Sequence, residues 1–294
     1  MFTGLSAFPL TPMDEVSIDE NAFSQLVSRL AQAQVNSIGV LGSTGSYAYL
    51  NREERNLVTR LAVESAQGTP VVVGIGALRT RDVLRLAEDA QKAGANGLLL
   101  APVSYQKLTE DEVFAHYQAV SQHSSIPICV YDNPTTTHFE FSDVLHGRIA
   151  ALPNIASIKI PPLSNHLDEA KERVARLRAH IPHYVTIGIS GDPSGATGLI
   201  AGCEAWYSVL GGLFPLPILA IVKASQRGDI DEVNRLSTAL EPIWAFFRRY
   251  GSLRVIATSA ELKGLVKAPS LPLPIKSLGG EERERLNACI ADLL

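Results

Sequence analysis

"IASIKIPP", residues 155–162, is an apolar run with a single lysine near its end. It reads as a short core strand, and Lys159 is out of place in it. A buried ammonium is costly unless it is paired or has lost its proton. The chain has eight lysines, and the other seven fall in helix, loop or tail contexts. What surrounds this strand decides both the fold and the meaning of the lysine.

Seven further runs resemble it: LSAFPL (5–10), SIGVLG (37–42), PVVVGIG (70–76), GLLLAP (97–102), IPICVYD (126–132), YVTIGIS (184–190) and AWYSVL (205–210). Most start about thirty residues apart, the length of one β/α unit. The runs are continuously apolar rather than alternating, as in parallel strands covered on both faces. Helical patterns lie between them. Residues 17–34 begin with Ser17 and have Glu20 three positions on, which predicts a capping box. Residues 80–95 put Val83, Leu84, Leu86, Ala87 and Ala90 on one face and stop at Gly94. Residues 109–124 open with a cap and an acidic first turn, which suits the helix dipole.

Eight alternations in one chain favour an α/β fold of the closed (β/α)8, or TIM barrel, type over an open sheet. The expected division is a barrel over 1–215 and a C-terminal helical extension over 216–294, packed as one structural unit. Within that tail, LPILAIVKASQRGD and DEVNRLSTALEPIWAFFRRYG are the clearest helices. A chain of 294 residues is long enough to bury one large core.

Composition narrows the function classes. The chain is 46% hydrophobic and 19% charged, with a formal net charge of −4. Nothing in it is basic enough to suggest nucleic acid or an anionic membrane surface. Cys129, Cys203 and Cys289 are far apart and show no CxxC spacing, which argues against a disulfide framework or a zinc site. The start MFTGLSAFPL lacks the pattern of a signal peptide, and no apolar run approaches the roughly 18–20 residues of a membrane helix. The expectation is a cytoplasmic protein.

In a barrel of this type the chemistry sits at the C-terminal strand ends. The second strand ends in Gly42-Ser43-Thr44-Gly45-Ser46, which is either a plain tight turn or a cradle of amides and hydroxyls for a carboxylate or phosphate. The fifth ends in Tyr131, either a packing residue with a wet hydroxyl or a catalytic phenol. Lys159 on the sixth either snorkels to solvent at the strand mouth or serves as a Schiff-base nucleophile. An amine attacks a carbonyl only when neutral, and apolar surroundings favour that form. His138, just beyond Tyr131, is either a substrate contact or a surface residue. The seven histidines form neither HxH nor HExxH, so no metal site is expected, and lysine is the better electrophile source.

These pieces together resemble the dihydrodipicolinate synthase/N-acetylneuraminate lyase family of Schiff-base class I aldolases, over nearly the whole chain. GSTGSYAYLNREER (42–55) is similar to its Gly-Thr/Ser-Thr-Gly-Glu loop, YDNPTTT (131–137) to its Tyr-Asn-x-Pro motif and ASIKI (156–160) to its Gly-Ile-Lys strand. ISGDPSG (189–195) is similar to a Ser-Gly-Asp segment, and AWYSVLGG (205–212) to its eighth strand. The resemblance implies a 2-oxo acid, most often pyruvate, condensed on Lys159 with no cofactor beyond that covalent imine. It makes Tyr131 the proton relay and Thr44 the hydroxyl that bridges tyrosines. Tyr105 corresponds to a tyrosine that crosses a subunit interface, which implies a homodimer or homotetramer. Ser43, Thr44 and Gly45 would hold the substrate carboxylate, with Thr136, Gly191 and Tyr207 also facing the substrate.

Several positions depart from the family pattern. Ser46 stands where the loop usually has Glu, Asp132 replaces the usual Asn, and Pro161-Pro162 follow the lysine strand. Thr136 stands where true dihydrodipicolinate synthases use an arginine to grip the aldehyde partner's carboxylate. Leu78 and Ser104 stand at positions of the lysine-effector site. The departures weigh against the biosynthetic synthase itself, and the neutral, hydroxyl-rich PTTTH stretch suits a sugar-acid-like partner. The expectation is therefore a Schiff-base lyase or aldolase acting on a 2-oxo acid. The alternatives are condensation of pyruvate with aspartate semialdehyde, or a non-catalytic family member that binds keto acids.

Overall fold

The computed structural model describes residues 1–291 and 293. Its centre is a closed barrel of eight parallel strands in sequence order: β1 Gly4–Ala7, β2 Ser37–Val40, β3 Val71–Gly74, β4 Gly97–Leu100, β5 Ile128–Tyr131, β6 Ile155–Ile160, β7 Thr186–Ile189 and β8 Ala205–Ser208. All eight expected strands are present, and β6 stops at Ile160, just before Pro161-Pro162. The others end earlier than their apolar runs, because the runs continue into the loops above the barrel. Closure is made by β1 against β8, with Ser6 opposite Tyr207.

The continuous apolar character of the strands follows from their two buried faces. On β6, Ile155, Ile158 and Ile160 join the large core between the barrel and the surrounding helices. Ser157 and Lys159, also buried, alternate with Ile158 and Ile160. A second, smaller core fills the barrel with Phe2, Phe8, Val72, Leu99, Cys129, Tyr131 and Tyr207.

The helices start where their caps dictate. The first runs Glu20–Gln32 and is capped by Asp19, whose side chain accepts from the Ala22 amide at 3.0 Å. The expected cap at Ser17 is not used. The Ser17 amide is instead taken by the Asp14 carboxylate at 2.8 Å, which turns the chain one step earlier. The helix Glu110–His123 has the expected cap, and it is closed as a box, with Thr109 and Glu112 bonding each other's backbone. Such a cap contributes about 1 kcal/mol.

The helix Pro215–Gln226, which begins at the expected division of the chain, packs on β1 and on the helix Gly195–Ile200. The tail then continues as helices Ile230–Ala239, Glu241–Tyr250, Ser252–Leu262 and Gly280–Cys289. The long pattern from 231 to 251 is thus two helices. Glu241-Pro242 restarts the chain, because proline is tolerated in a first turn but not in a helix interior. Among the described residues no helix is long and apolar enough to cross a membrane.

Candidate active site

Lys159 lies in register between Tyr131 on β5 and Gly188 on β7. It is 4% exposed. Its Nζ sits 4.1 Å from the ring centroids of both Phe8 and Tyr131, and 5.5 Å from that of Tyr207. Two glycines make this aromatic cage possible. A Cβ on Gly39 of β2 would fall 2.2 Å from the Phe8 ring, and one on Gly188 would fall 2.1 Å from the Tyr207 ring. Three rings around the amine shut it off from solvent at the floor of the barrel mouth. They also present π faces to any cation formed there.

The rings differ in what their hydroxyls do. Tyr131 Oη accepts from Asn133 Nδ2 at 2.9 Å and lies 3.4 Å from Ser43 Oγ. With its oxygen held by an amide donor, the phenol's own proton is free to be directed at a substrate. Tyr207 Oη is 2.6 Å from Ser157 Oγ, and Cys129 Sγ donates to it at 3.4 Å. Burial pushes the Tyr207 phenol well above its ordinary value, and pushes the Cys129 thiol up as well. Tyr207 is therefore a neutral wall that fixes Lys159 from below.

A cleft of about 400 Å³ opens above Lys159, within the usual range for small-molecule sites. Ser43, Thr44, Tyr131, Thr136, Lys159, Gly191 and Tyr207, all expected at the site, line it. The hydroxyl within hydrogen-bond reach of Tyr131 Oη is that of Ser43 rather than Thr44. Gly45 lies beneath, in the turn, where a Cβ would come 2.8 Å from the Leu41 amide nitrogen. Gly191 has φ +78° and Pro162 packed against its α-carbon, so backbone and neighbour both require glycine. Tyr105 does not line the cleft of its own chain and is 91% exposed. His138 is exposed at the end of the short helix Pro134–Thr137 and also stays outside.

The loop at Ser46 keeps a tight turn without the glutamate, with Ser46 itself left-handed at φ 54°. Arg55 is buried and donates to the carbonyls of Gly74 and Gly76 at 2.8 and 3.0 Å, bracing the end of β3 beside this loop. Burial lowers its guanidinium to about 10. Asp192 lines the cleft, but its oxygens accept from Trp206 Nε1 at 2.8 Å and the Leu210 amide at 2.7 Å. It thereby ties the β7 loop to β8.

Sequence reasoning missed Phe8, Asn133, Ser157 and Arg248. Phe8 and Asn133 sit at strand ends, where the barrel rule could have found them. Ser157 is two residues before the lysine on the same inward face. Arg248 comes from the C-terminal helices, and nothing local marks it.

The dihydrodipicolinate synthetase family model matches residues 1–293. The chain belongs to this family. A structure described as dihydrodipicolinate synthase from Agrobacterium tumefaciens superposes with a TM-score of 0.96 at 44% identity, covering 100% of this chain and 98% of that one. The 4-hydroxy-tetrahydrodipicolinate synthase of Phenylobacterium zucineum is 31% identical over 78% of this chain and 76% of its own. That of Rhodospirillum centenum is 30% identical over 83% and 82%. As a dihydrodipicolinate synthetase family member, the chain is an enzyme of the class I, Schiff-base lyase and aldolase type. Its substrates are small molecules.

Proposed function

We propose that the enzyme forms an imine between Lys159 and pyruvate or a related 2-oxo acid, and makes or breaks a carbon–carbon bond with a sugar-acid-like aldehyde. The observation that carries this is the Lys159 amine held 4.1 Å from the rings of Phe8 and Tyr131 at the floor of the cleft. The neutral amine adds to the C2 carbonyl, the carbonyl oxygen takes protons, and water leaves. The protonated imine then draws electrons from the neighbouring carbon, which loses a proton and becomes the nucleophile toward the aldehyde. Cleavage runs the same steps backwards.

Tyr131 is the proton carrier in these steps. Amides and hydroxyls of Ser43, Thr44 and Gly45 hold the 2-oxo acid carboxylate, with no bound cofactor needed. Thr136, Gly191 and Tyr207 shape the remaining wall. In a cytoplasmic homodimer or homotetramer, Tyr105 of a second copy completes the relay, which fits its exposure in the single chain.

Borohydride reduction in the presence of pyruvate tests the reading. A mass adduct on Lys159, absent from Lys159→Ala, is expected, and no adduct overturns it. The names of the relatives favour a second reading, condensation of pyruvate with aspartate semialdehyde. Assaying that reaction beside pyruvate release from 2-keto-3-deoxy sugar acids separates the two.

A further inference from the structure

We propose that Arg248 reads the far end of the ligand joined to Lys159, and that the preferred ligand is a 2-oxo acid with a second carboxylate at its other end. This rests on the imine at Lys159 and names the substrate class of that same cleft. Among the described residues that line the cleft, Lys159 and Arg248 are the only cations and Asp192 is the only carboxylate. Asp192 is spent on Trp206 and Leu210. It therefore does not compete for the guanidinium. The wall between is neutral and hydrogen-bonding, with Asn133, Thr135, Thr136, Ser190 and Ser252. A ligand matched to this lining has its 2-oxo end at Lys159, hydroxyls along its middle and a negative charge at the mouth.

The fold holds Arg248 in place for this. It lies in the last turn of the helix Glu241–Tyr250, which packs against the turn Asp192–Ser194 on the cleft rim. Glu241, two turns earlier on the same helix, takes Nη2. Among the described residues Nε and Nη1 of Arg248 make no hydrogen bond, so part of the donor fork is open to a ligand. A guanidinium presented in this way suits a carboxylate, which it grips through paired donors. Thr136 on the opposite loop lacks that capacity. The positive end of the cleft mouth therefore lies on the C-terminal helices.

The test compares two ligands of equal length, 2-oxoadipate and 2-oxohexanoate, which differ in whether the far end is a carboxylate or a methyl. Half-saturation of the borohydride-trapped adduct is measured for each, and the ratio is taken within each protein, so that any general loss cancels. The wild type is expected to favour 2-oxoadipate by about 10–100-fold. Arg248→Ala should bring the ratio near one, and Arg248→Lys should fall between. A wild type without the preference, or a preference that survives Arg248→Ala, overturns the proposal. If pyruvate leaves no adduct on Lys159, the imine reading fails separately. The same ratio is then read from ligand-induced shifts in melting temperature, with the same two outcomes deciding Arg248.

Discussion

Oδ2 of Asp132 and Nε2 of His146 face each other at 3.4 Å in a space closed to solvent. Asp132 is the residue after Tyr131, and its amide donates to the Lys159 carbonyl at 3.0 Å. His146 stacks flat on Phe141, with centroids 4.9 Å apart and planes at 4°. Neither ring nitrogen, nor Oδ1 of Asp132, has a hydrogen-bond partner among the described residues. The two groups answer only to each other.

Removing one member of such a pair strands the other. Asp132→Ala is expected to destabilise the fold by about 1–3 kcal/mol, the range for leaving a buried polar group without its partner. Asp132→Asn, which keeps a polar partner of the same shape, should cost less. Urea denaturation of the three proteins gives the comparison. A loss below about 1 kcal/mol in Asp132→Ala would show that the contact contributes little to the fold.

Tyr131→Phe removes the phenol oxygen and leaves the ring over Lys159. The variant should fold normally, form the pyruvate adduct slowly and turn over about 10²–10⁴-fold more slowly. Steady-state kinetics with a circular-dichroism control measures this. Turnover near wild type would remove Tyr131 from the relay.

Gly188→Ala drives a methyl into the space of the Tyr207 ring, 2.1 Å from its edge. Overpacking of this kind costs about 1–3 kcal/mol. Here it also shifts a ring that walls Lys159. Both the denaturation midpoint and the rate of adduct formation should fall. An unchanged adduct rate would mean that the cage tolerates a displaced Tyr207.

Alkaline stability should carry a signature of Cys203. Burial, with Glu204 adding to it, raises this thiol from 9.0 to about 12. The unfolded chain releases the thiol proton from about pH 9, whereas the folded chain keeps it, so the contribution is complete below pH 9 and is lost as pH rises toward 12. Wild-type stability should therefore fall faster than that of Cys203→Ala, by at most about 1.4 kcal/mol per pH unit in that window. Parallel curves for the two proteins would rule this out.

The barrel was legible because its strands advertise themselves. Eight apolar runs at regular spacing leave few other arrangements, and the lysine in IASIKI stands out against that background. Tyr131 and the Ser43–Gly45 turn followed from the rule that strand ends carry function. What stayed hidden depends on contacts distant in sequence. Nothing near Gly39 or Gly188 says that each is small to admit a ring from another strand. The guanidinium at the rim arrives from a helix about ninety residues beyond the lysine. Ser17 failed as a cap for a local reason, since Asp14 captured its amide first.

The reach of the Phe247–Ser252 segment into the cleft has a consequence for how the protein is made. As the chain leaves the ribosome, Lys159 and Tyr131 emerge well before β8 closes the barrel, and the rim helices emerge later still. A nascent chain can hold the lysine and tyrosine of the cleft floor long before it holds the far wall of the cleft. The cleft is thus built from its floor upward, and its rim is closed only when the C-terminal helices dock.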